Sequence, residues 1–317
     1  MDEIVIGIDL GGTMVRAGAV QRDGQILAMG ETTIQASEGP NAGLGRISAL
    51  INHLVAETGT SLLGIGIGST GPLDLERGAI QNPYTLPGWE DVPITAHLQG
   101  IFNVPVQLEN DADAAALGEY WRGAGQNVAR LMAVTVGTGI GTSLIQKGQI
   151  YRGINNCHPE GGHIILDPSG PLCYCGANGC WEVLAAGPAI SEQARQAALR
   201  HPESLMLALA HGKIDQIDSL TAASAARQQD PAACEVINRA ARYMAQGIVN
   251  LINAFAPDTL VLSGGVMKSA DLFLPEIRQF VHRNNRMVPA DSIQIVLARL
   301  GYYAGITGAA YTVYQQQ

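Results

Sequence analysis

No stretch of this 317-residue chain stays apolar long enough to cross a bilayer, since nothing approaches the ~18 uninterrupted residues a span requires. Runs of lysine or arginine are also missing. With 19 basic against 28 acidic residues the chain carries a formal charge of −9 and a pI near 5.2. Duplex DNA would be repelled by such a surface, so neither a nucleic-acid nor a membrane partner is expected. The Walker pattern G-x-x-x-x-G-K-[ST] does not occur, and the glycine turns at 11 and 137 are not G-x-G-x-x-G. By motif this excludes a P-loop protein and a Rossmann dehydrogenase. Linkers and low-complexity segments are absent as well. The N-terminus, MDEIVIGIDLGGT, is acidic and enters an apolar run at once, which predicts no signal peptide. The five cysteines form no paired framework, and thiols at metal-like spacing suit a reducing, cytoplasmic setting.

What is present is an ordinary globular balance, 47% hydrophobic and 15% charged, with ample material for a core. The length suggests two domains, at a prior of about 150 residues each. The most informative stretch is His158 to Glu182, HPEGGHIILDPSGPLCYCGANGCWE. It holds Cys173, Cys175 and Cys180 as C-x-C-x4-C, with His163 just upstream. Three thiolates and one imidazole form a Cys3His set with no position left for water, which favours a structural Zn2+. Gly176 and Gly179 permit the bends that bring Cys175 and Cys180 to one ion. The plain alternative is three core cysteines and a surface histidine, but core cysteines seldom cluster among Gly, Pro and Asn. A metal stapling this loop would fix the neighbouring carboxylates of Glu160 and Glu182. Cys157 and Cys234 read as ordinary buried thiols.

Residues 4–10 form an apolar strand ending at Asp9 and followed by Gly11-Gly12-Thr13. Strands over 14–20 and 25–30 follow, with Asp23-Gly24 as the turn between them. The same order recurs later. Residues 131–136 are an apolar strand, Gly137-Thr138-Gly139 a glycine turn, and Lys147-Gly148 the next hairpin. The offset of about 126 residues predicts two domains of like construction, each opening with a hairpin whose glycine turn faces a common cleft. Between these, residues 41–58 have helical apolar spacing, 62–69 and 104–108 read as strands, and an Ala-rich helix runs to about 122. Residues 187–256 read as several helices broken at His201-Pro202 and Asp230-Pro231. A strand over 259–263, Gly264-Gly265 opening a helix, a strand over 293–298 and a closing helix from about 304 complete the chain.

Glycine turns after apolar strands present bare N–H groups that suit phosphate oxygens. One alone is weak, and a tight turn explains it. Two at matching places in a repeat, with a third at 263–266 that sets a helix N-terminus at a ligand, favour anion binding. Asp9 and Asp111 lie at the carboxyl ends of strands, where open α/β sheets bind ligands. An Asp beside phosphates can hold Mg2+ through water, and another can take a proton from an attacking hydroxyl. For Asp111 a helix cap is an equal reading, and Asn110 can serve that role too.

Together these motifs resemble the ROK family (repressor, open reading frame, kinase) of the actin-like, ribonuclease-H-like superfamily. The likeness runs from IGIDLGGT at 6–13 to GYYAGITGAA at 301–310, and GGH followed by CYCGANGCWE is its specific signature. The resemblance implies a two-lobed actin-like α/β ATPase fold, with a smaller lobe of residues 1–117 completed by 302–317. The larger lobe, 118–301, would carry the zinc-stapled loop. Asp111 matches the family's catalytic base, with Asn110 beside it on the sugar. Gly71 and Pro72 match the turn lining the sugar pocket. Glu160, His163 and Glu182 match side chains that contact sugar hydroxyls, His163 also binding Zn2+. Asp9, Gly11, Gly12 and Thr13 match the first phosphate loop, Gly137, Thr138 and Gly139 the second, and Gly264 and Gly265 the segment that packs on the nucleotide.

Three positions depart from the family pattern. Thr85 replaces an Asn that contacts sugar, with Asn82 close enough to be considered there. His158-Pro159 precedes Glu160 where Ala-Gly is common, as in the fructokinase branch, and Met14 stands where Lys or Asn is frequent. The activity implied is ATP-dependent, Mg2+-assisted phosphorylation of a hexose 6-hydroxyl, glucose first, with fructokinase and N-acetylmannosamine kinase as competitors. A non-catalytic sugar sensor is the reading from another class; the intact Asp9, Gly11–Thr13 and Asp111 argue against it. Only three residues precede the first strand, too few for the helix-turn-helix of the family's repressors. Assembly as a homodimer or homotetramer is expected.

Overall fold

Ile4, Ile6, Ile8 and Leu10 are fully buried on one side of β1 (Glu3–Leu10), and Val5 is fully buried on the other. A strand covered on both faces belongs at the centre of a sheet. The computed structural model, which describes residues 3–289 and 292–317, places it there. The chain divides into two compact units, Met1–Ala129 with Ser143–Cys157 and Ala298–Gln317, and Arg130–Thr142 with His158–Leu297. The first unit thus extends past residue 117 and takes in the segment around Arg152.

In the first unit β1 is followed by β2 (Met14–Val20), β3 (Ile26–Thr33), α1 (Pro40–Thr58) and β4 (Ser61–Ser69). A small sheet of β5 (Leu73–Asp74), β6 (Ala79–Gln81) and β7 (Glu90–Val92) precedes α2 (Ile94–Phe102), β8 (Val106–Asn110) and α3 (Asp111–Arg122). The main sheet has the order β3-β2-β1-β4-β8. The hairpin pairs antiparallel, whereas β4 lies parallel to β1 and β8 parallel to β4. One face packs Ile6, Ile8 and Leu10 with Ile47, Ile51 and Leu54 of α1 and with Trp89. The opposite face packs Val5 and Val20 against Ile306, Ala310 and Val313 near the C-terminus.

The second unit repeats the plan. It runs through β9 (Arg130–Val136), β10 (Ile140–Gln146), β11 (Gln149–Ile150) and α4 (Trp181–Ala185). Next come α5 (Gly187–Arg200), α6 (Leu205–Leu209), α7 (Ser219–Arg227), α8 (Pro231–Phe255), β12 (Thr259–Ser263), α9 (Ala270–Asn284) and β13 (Gln294–Leu297). Finally α10 (Ala304–Tyr314) returns to the first unit. The sheet order β11-β10-β9-β12-β13 has the same sequence of hairpin and parallel strands as the first, as the internal repeat predicts.

The helical stretch after residue 187 breaks where its prolines require. α5 ends at Arg200, before His201-Pro202, and Pro231 opens α8 with Asp230 as its cap, accepting the Ala233 N–H at 2.8 Å. The small sheet, α2 and α4 were not apparent from periodicity, because each is too short to carry a repeating pattern. No helix among the described residues is long and apolar enough to cross a membrane. The expectation of buried thiols at Cys157 and Cys234 is corrected: Cys157 is exposed and Cys234 only partly covered. Cys157 lies in a loop between consecutive 3-10 turns, where backbone bends leave no packed layer over the side chain.

Candidate active site and metal centre

In the first unit the chemistry gathers at the ends of β1, β4 and β8. Asn110 ends β8, and its Oδ1 accepts the N–H groups of Ala112 and Asp113 at 2.9 and 3.3 Å. The cap of α3 is therefore Asn110, and Asp111 is the helix's first residue. The Asp111 carboxylate uses Oδ1 to accept the Ala112 N–H at 2.8 Å. Burial raises its pKa; that N–H opposes the rise, and the charge of Asp9 adds to it. Asp9, on β1, is also held above the usual carboxylate value by burial, against the Arg16 guanidinium 3.5 Å away.

Beside Asp9 the turn Gly11-Gly12-Thr13 is closed by the Gly11 N–H on Met14 O at 3.0 Å. Gly12 lies against Thr85, and a Cβ there would sit 2.6 Å from the Thr85 carbonyl oxygen. Thr13 is exposed, and its carbonyl accepts the Ile34 N–H at 2.9 Å. After β4 the chain turns through Gly71-Pro72, a cis peptide at the surface. Asn82 is fully buried and committed to the protein. Its amide nitrogen donates to the hydroxyls of Thr70 (3.1 Å) and Thr85 (2.6 Å), and its Oδ1 accepts the N–H groups of Tyr84 and Thr85, both at 3.0 Å. Thr85 itself is exposed.

In the second unit the sulfurs of Cys173, Cys175 and Cys180 and a ring nitrogen of His163 all lie within 4.8 Å of one another. Cys173 Sγ is 3.5 Å from His163 Nδ1, and Cys175 Sγ 3.5 Å from Cys180 Sγ. A tetrahedral Zn2+ with ordinary Zn–S and Zn–N bonds sets its ligands about 3.5–3.8 Å apart. The donor set and its spacing therefore fit that ion. Two β-bridges, Ile165 to Cys180 and Leu172 to Asn178, shape the loop, and Gly176 and Gly179 take positive φ. The other nitrogen of His163, Nε2, lies 3.0 Å from the Tyr174 hydroxyl, a contact that orients the ring.

Two carboxylates flank this loop. Glu182 Oε2 accepts the Ile140 N–H at 2.8 Å, at the end of the Gly137-Thr138-Gly139 turn. A Cβ at Gly139 would lie 2.3 Å from that carboxylate oxygen, so a larger residue there would displace Glu182. Glu160 is exposed and lies 3.2 Å from His158 Nε2. Its segment is fixed by Thr142, whose hydroxyl donates to Pro159 O (2.6 Å) and accepts the Gly161 N–H (2.9 Å). Gly264, at φ 95°, leads through a 3-10 turn from Gly265 to Ser269 into α9. Both glycines are exposed.

Three groups escaped sequence reasoning. Glu109 and Asp113 bracket Asn110-Asp111, and Arg152, far off in sequence, is bonded to Glu109 and lies 3.2 Å from Asp113. The signal available was the density of acids in LENDAD, which nothing nearby neutralises.

The ROK family model matches residues 5–316. A glucokinase of Halalkalibacterium halodurans is 32% identical over 100% of this chain and 96% of its own. Among solved structures, a ROK hexokinase from Thermus thermophilus is 33% identical, with a TM-score of 0.83 over 99% of this chain and 98% of that one. A ROK family glucokinase from Streptomyces griseus, solved in complex with glucose and AMPPNP, is 34% identical, with a TM-score of 0.78 over 98% and 99% of the two chains. Similarity of this extent covers the hairpin repeat, the glycine turns and the cysteine loop alike, and the chain belongs to the ROK family.

Proposed function

We propose that this protein transfers the γ-phosphoryl group of ATP to the 6-hydroxyl of a hexose, with glucose the favoured substrate. The observation that carries the proposal is Asp111. It is a half-buried carboxylate at a strand's carboxyl end, released from capping by Asn110 and held above its ordinary pKa. It accepts the hydroxyl proton as the sugar oxygen attacks the γ-phosphorus and ADP departs. N–H groups at Gly11, Gly12 and Thr13, and at Gly137, Thr138 and Gly139, receive phosphate oxygens. Gly264 and Gly265 border the nucleotide.

On the sugar side we assign Gly71, Pro72, Asn110, Thr85, Glu160, His163 and Glu182 to the hydroxyls and ring. A site built on such hydrogen bonds rejects sugars that lack them. Asn82 enters as the support of Thr85 and not as a sugar contact, because its amide is already bonded. Asp9 would hold the Mg2+ accompanying ATP, and that ion would supply charge neutralisation on the phosphates; a carboxylate that burial disfavours in its charged form gains from a cation. Zn2+, held by His163, Cys173, Cys175 and Cys180, keeps the loop between Glu160 and Glu182 in shape. A cytoplasmic location, where ATP is plentiful, and a homodimeric or homotetrameric assembly complete the reading.

The test is ATP-dependent phosphorylation across glucose, mannose, fructose, N-acetylglucosamine and N-acetylmannosamine, with Asp111→Asn alongside. Turnover strongest on glucose and lost in the variant is the expected result. Preference for fructose or N-acetylmannosamine would reassign the sugar. Binding of a sugar without turnover on any would make the protein a sensor.

A further inference from the structure

We infer that Arg152 is a positioning residue for the phosphoryl transfer, holding the Asn110-Asp111 corner in register and offsetting the negative charge packed around it. The inference rests on the reading of Asp111 as the base. Glu109 and Asp113, on either side of that pair, are 9% and 0% exposed. Two carboxylates so deeply buried need a cation, or one of them takes up a proton. That cation is Arg152, just after β11 and 43 residues from Glu109. Its Nη2 serves both acids, bonded to Glu109 Oε1 and 3.2 Å from Asp113 Oδ2. Its Nη1 donates to the carbonyl of Asn156 at 3.1 Å. The same Glu109 Oε1 accepts the backbone N–H of Asn110 at 2.7 Å. A continuous hydrogen-bonded chain therefore runs from the Asn156 carbonyl through Arg152 and Glu109 to the backbone carrying Asp111. All of it lies within the first unit.

The charges around Asp111 can be taken element by element. β1 brings Asp9, paired with Arg16 of β2; β8 brings Glu109; α3 brings Asp113. β4 and α10, packed on the same corner, contain no charged residue. With Asp111 itself, these described groups are four carboxylates and two guanidiniums. Removing Arg152 takes away one of those guanidiniums, and the Asp113 charge, which already pushes Asp111 upward, is then less offset. A base held that way is protonated over more of the pH range, and its backbone loses the tie through Glu109.

The test compares Arg152→Met, Arg152→Lys, and Arg152→Met combined with Glu109→Gln and Asp113→Asn. Glutamine keeps an acceptor for the Asn110 N–H. Outer-shell partners of metal ligands typically cost ~10–100-fold in activity when lost, and that scale is taken for this supporting cation. For Arg152→Met a fall of that order in kcat is expected, with sugar KM changed less than about twofold and the acid limb of the pH–rate profile moved to higher pH. The triple variant recovers most of kcat and returns the limb, since it removes the charges that Arg152 balances. Lysine keeps a charge for the two acids but has no second nitrogen to reach the Asn156 carbonyl; its limb stays in place while kcat drops several-fold.

Wild-type kcat and limb in Arg152→Met would overturn the inference. So would a loss that the triple variant leaves unrepaired, or a lysine variant whose limb shifts. If Arg152→Met does not fold, the lysine and triple variants decide by the same criteria. Asp111→Asn is run beside them. Retained turnover there overturns the base assignment, whereas a dead Asp111→Asn with an unaffected Arg152→Met overturns only the role of Arg152.

Discussion

Asn110 caps α3 so that Asp111 need not: the amide oxygen of Asn110 takes the N–H groups of Ala112 and Asp113. Adjacent residues at a helix start compete for the same donors, and whichever wins is tied to the backbone. Here the neutral side chain carries the cap, while the charged one is aimed chiefly by the Ala112 N–H, with its own N–H beside it. A carboxylate whose desolvation outweighs its backbone hydrogen bonds suits proton transfer better than one saturated by donors, which would be driven toward low pKa.

Asp111→Asn should lower kcat at least ~10^2-fold, the lower end of what a positioned general base contributes. Sugar affinity, measured by titration calorimetry, should change little, because the shape and cap remain. A variant that kept wild-type turnover would remove Asp111 from the chemistry.

The same substitution bears on stability. Burial raises the folded pKa of Asp111 above its unfolded value of about 3.9. Ionising it therefore opposes folding: the penalty is absent below the unfolded pKa and complete above the raised folded pKa. Asp111→Asn should hold or raise Tm at neutral pH and have no such effect in strong acid, which calorimetry in the two buffers will check.

If Asp111 is the base, it must be ionised for turnover. kcat should consequently fall on the acid side through a pKa above the ordinary carboxylate range, and Asp9→Asn should move that limb to lower pH by removing a like charge. A limb unmoved by the Asp9 change would indicate that the two acids do not interact.

Metal analysis of the purified protein should find one Zn2+ per chain, lost in Cys175→Ser and Cys180→Ser. Both variants should lose most activity and melt at lower temperature, since the loop between Glu160 and Glu182 loses its staple. Full turnover in a zinc-free variant would make the ion incidental.

Asn82→Ala should destabilise by ~1–3 kcal/mol, because Thr85 and Thr70 lose a buried partner. In a fold of this size that is several degrees in Tm, at about 2–4 °C per kcal/mol. Sugar KM rising without a fall in Tm would instead identify Asn82 as a direct contact.

The sequence by itself determined what short-range pattern encodes. Apolar runs, their closing Asp and glycine turns, and the hairpin repeat defined the two sheets, since strand alternation and turn chemistry are local properties. β2 and β12 fell on the expected residues, 14–20 and 259–263. The Cys3His set was equally legible, because three of its four ligands lie within eight residues and metal chemistry restricts the choice. Tertiary structure alone decided which of Asn110 and Asp111 is the cap and that Asn82 is sealed inside. It also set the exposure of Cys157 and made Arg152 the counter-ion of Glu109 and Asp113. Arg152 lies 43 residues from Glu109, and even the short-range cap of Asn110 and bonds of Asn82 are chosen by side-chain geometry that only the folded backbone fixes. Nothing in the spacing of a chain records which cation will lie over a buried acid once the sheet has formed.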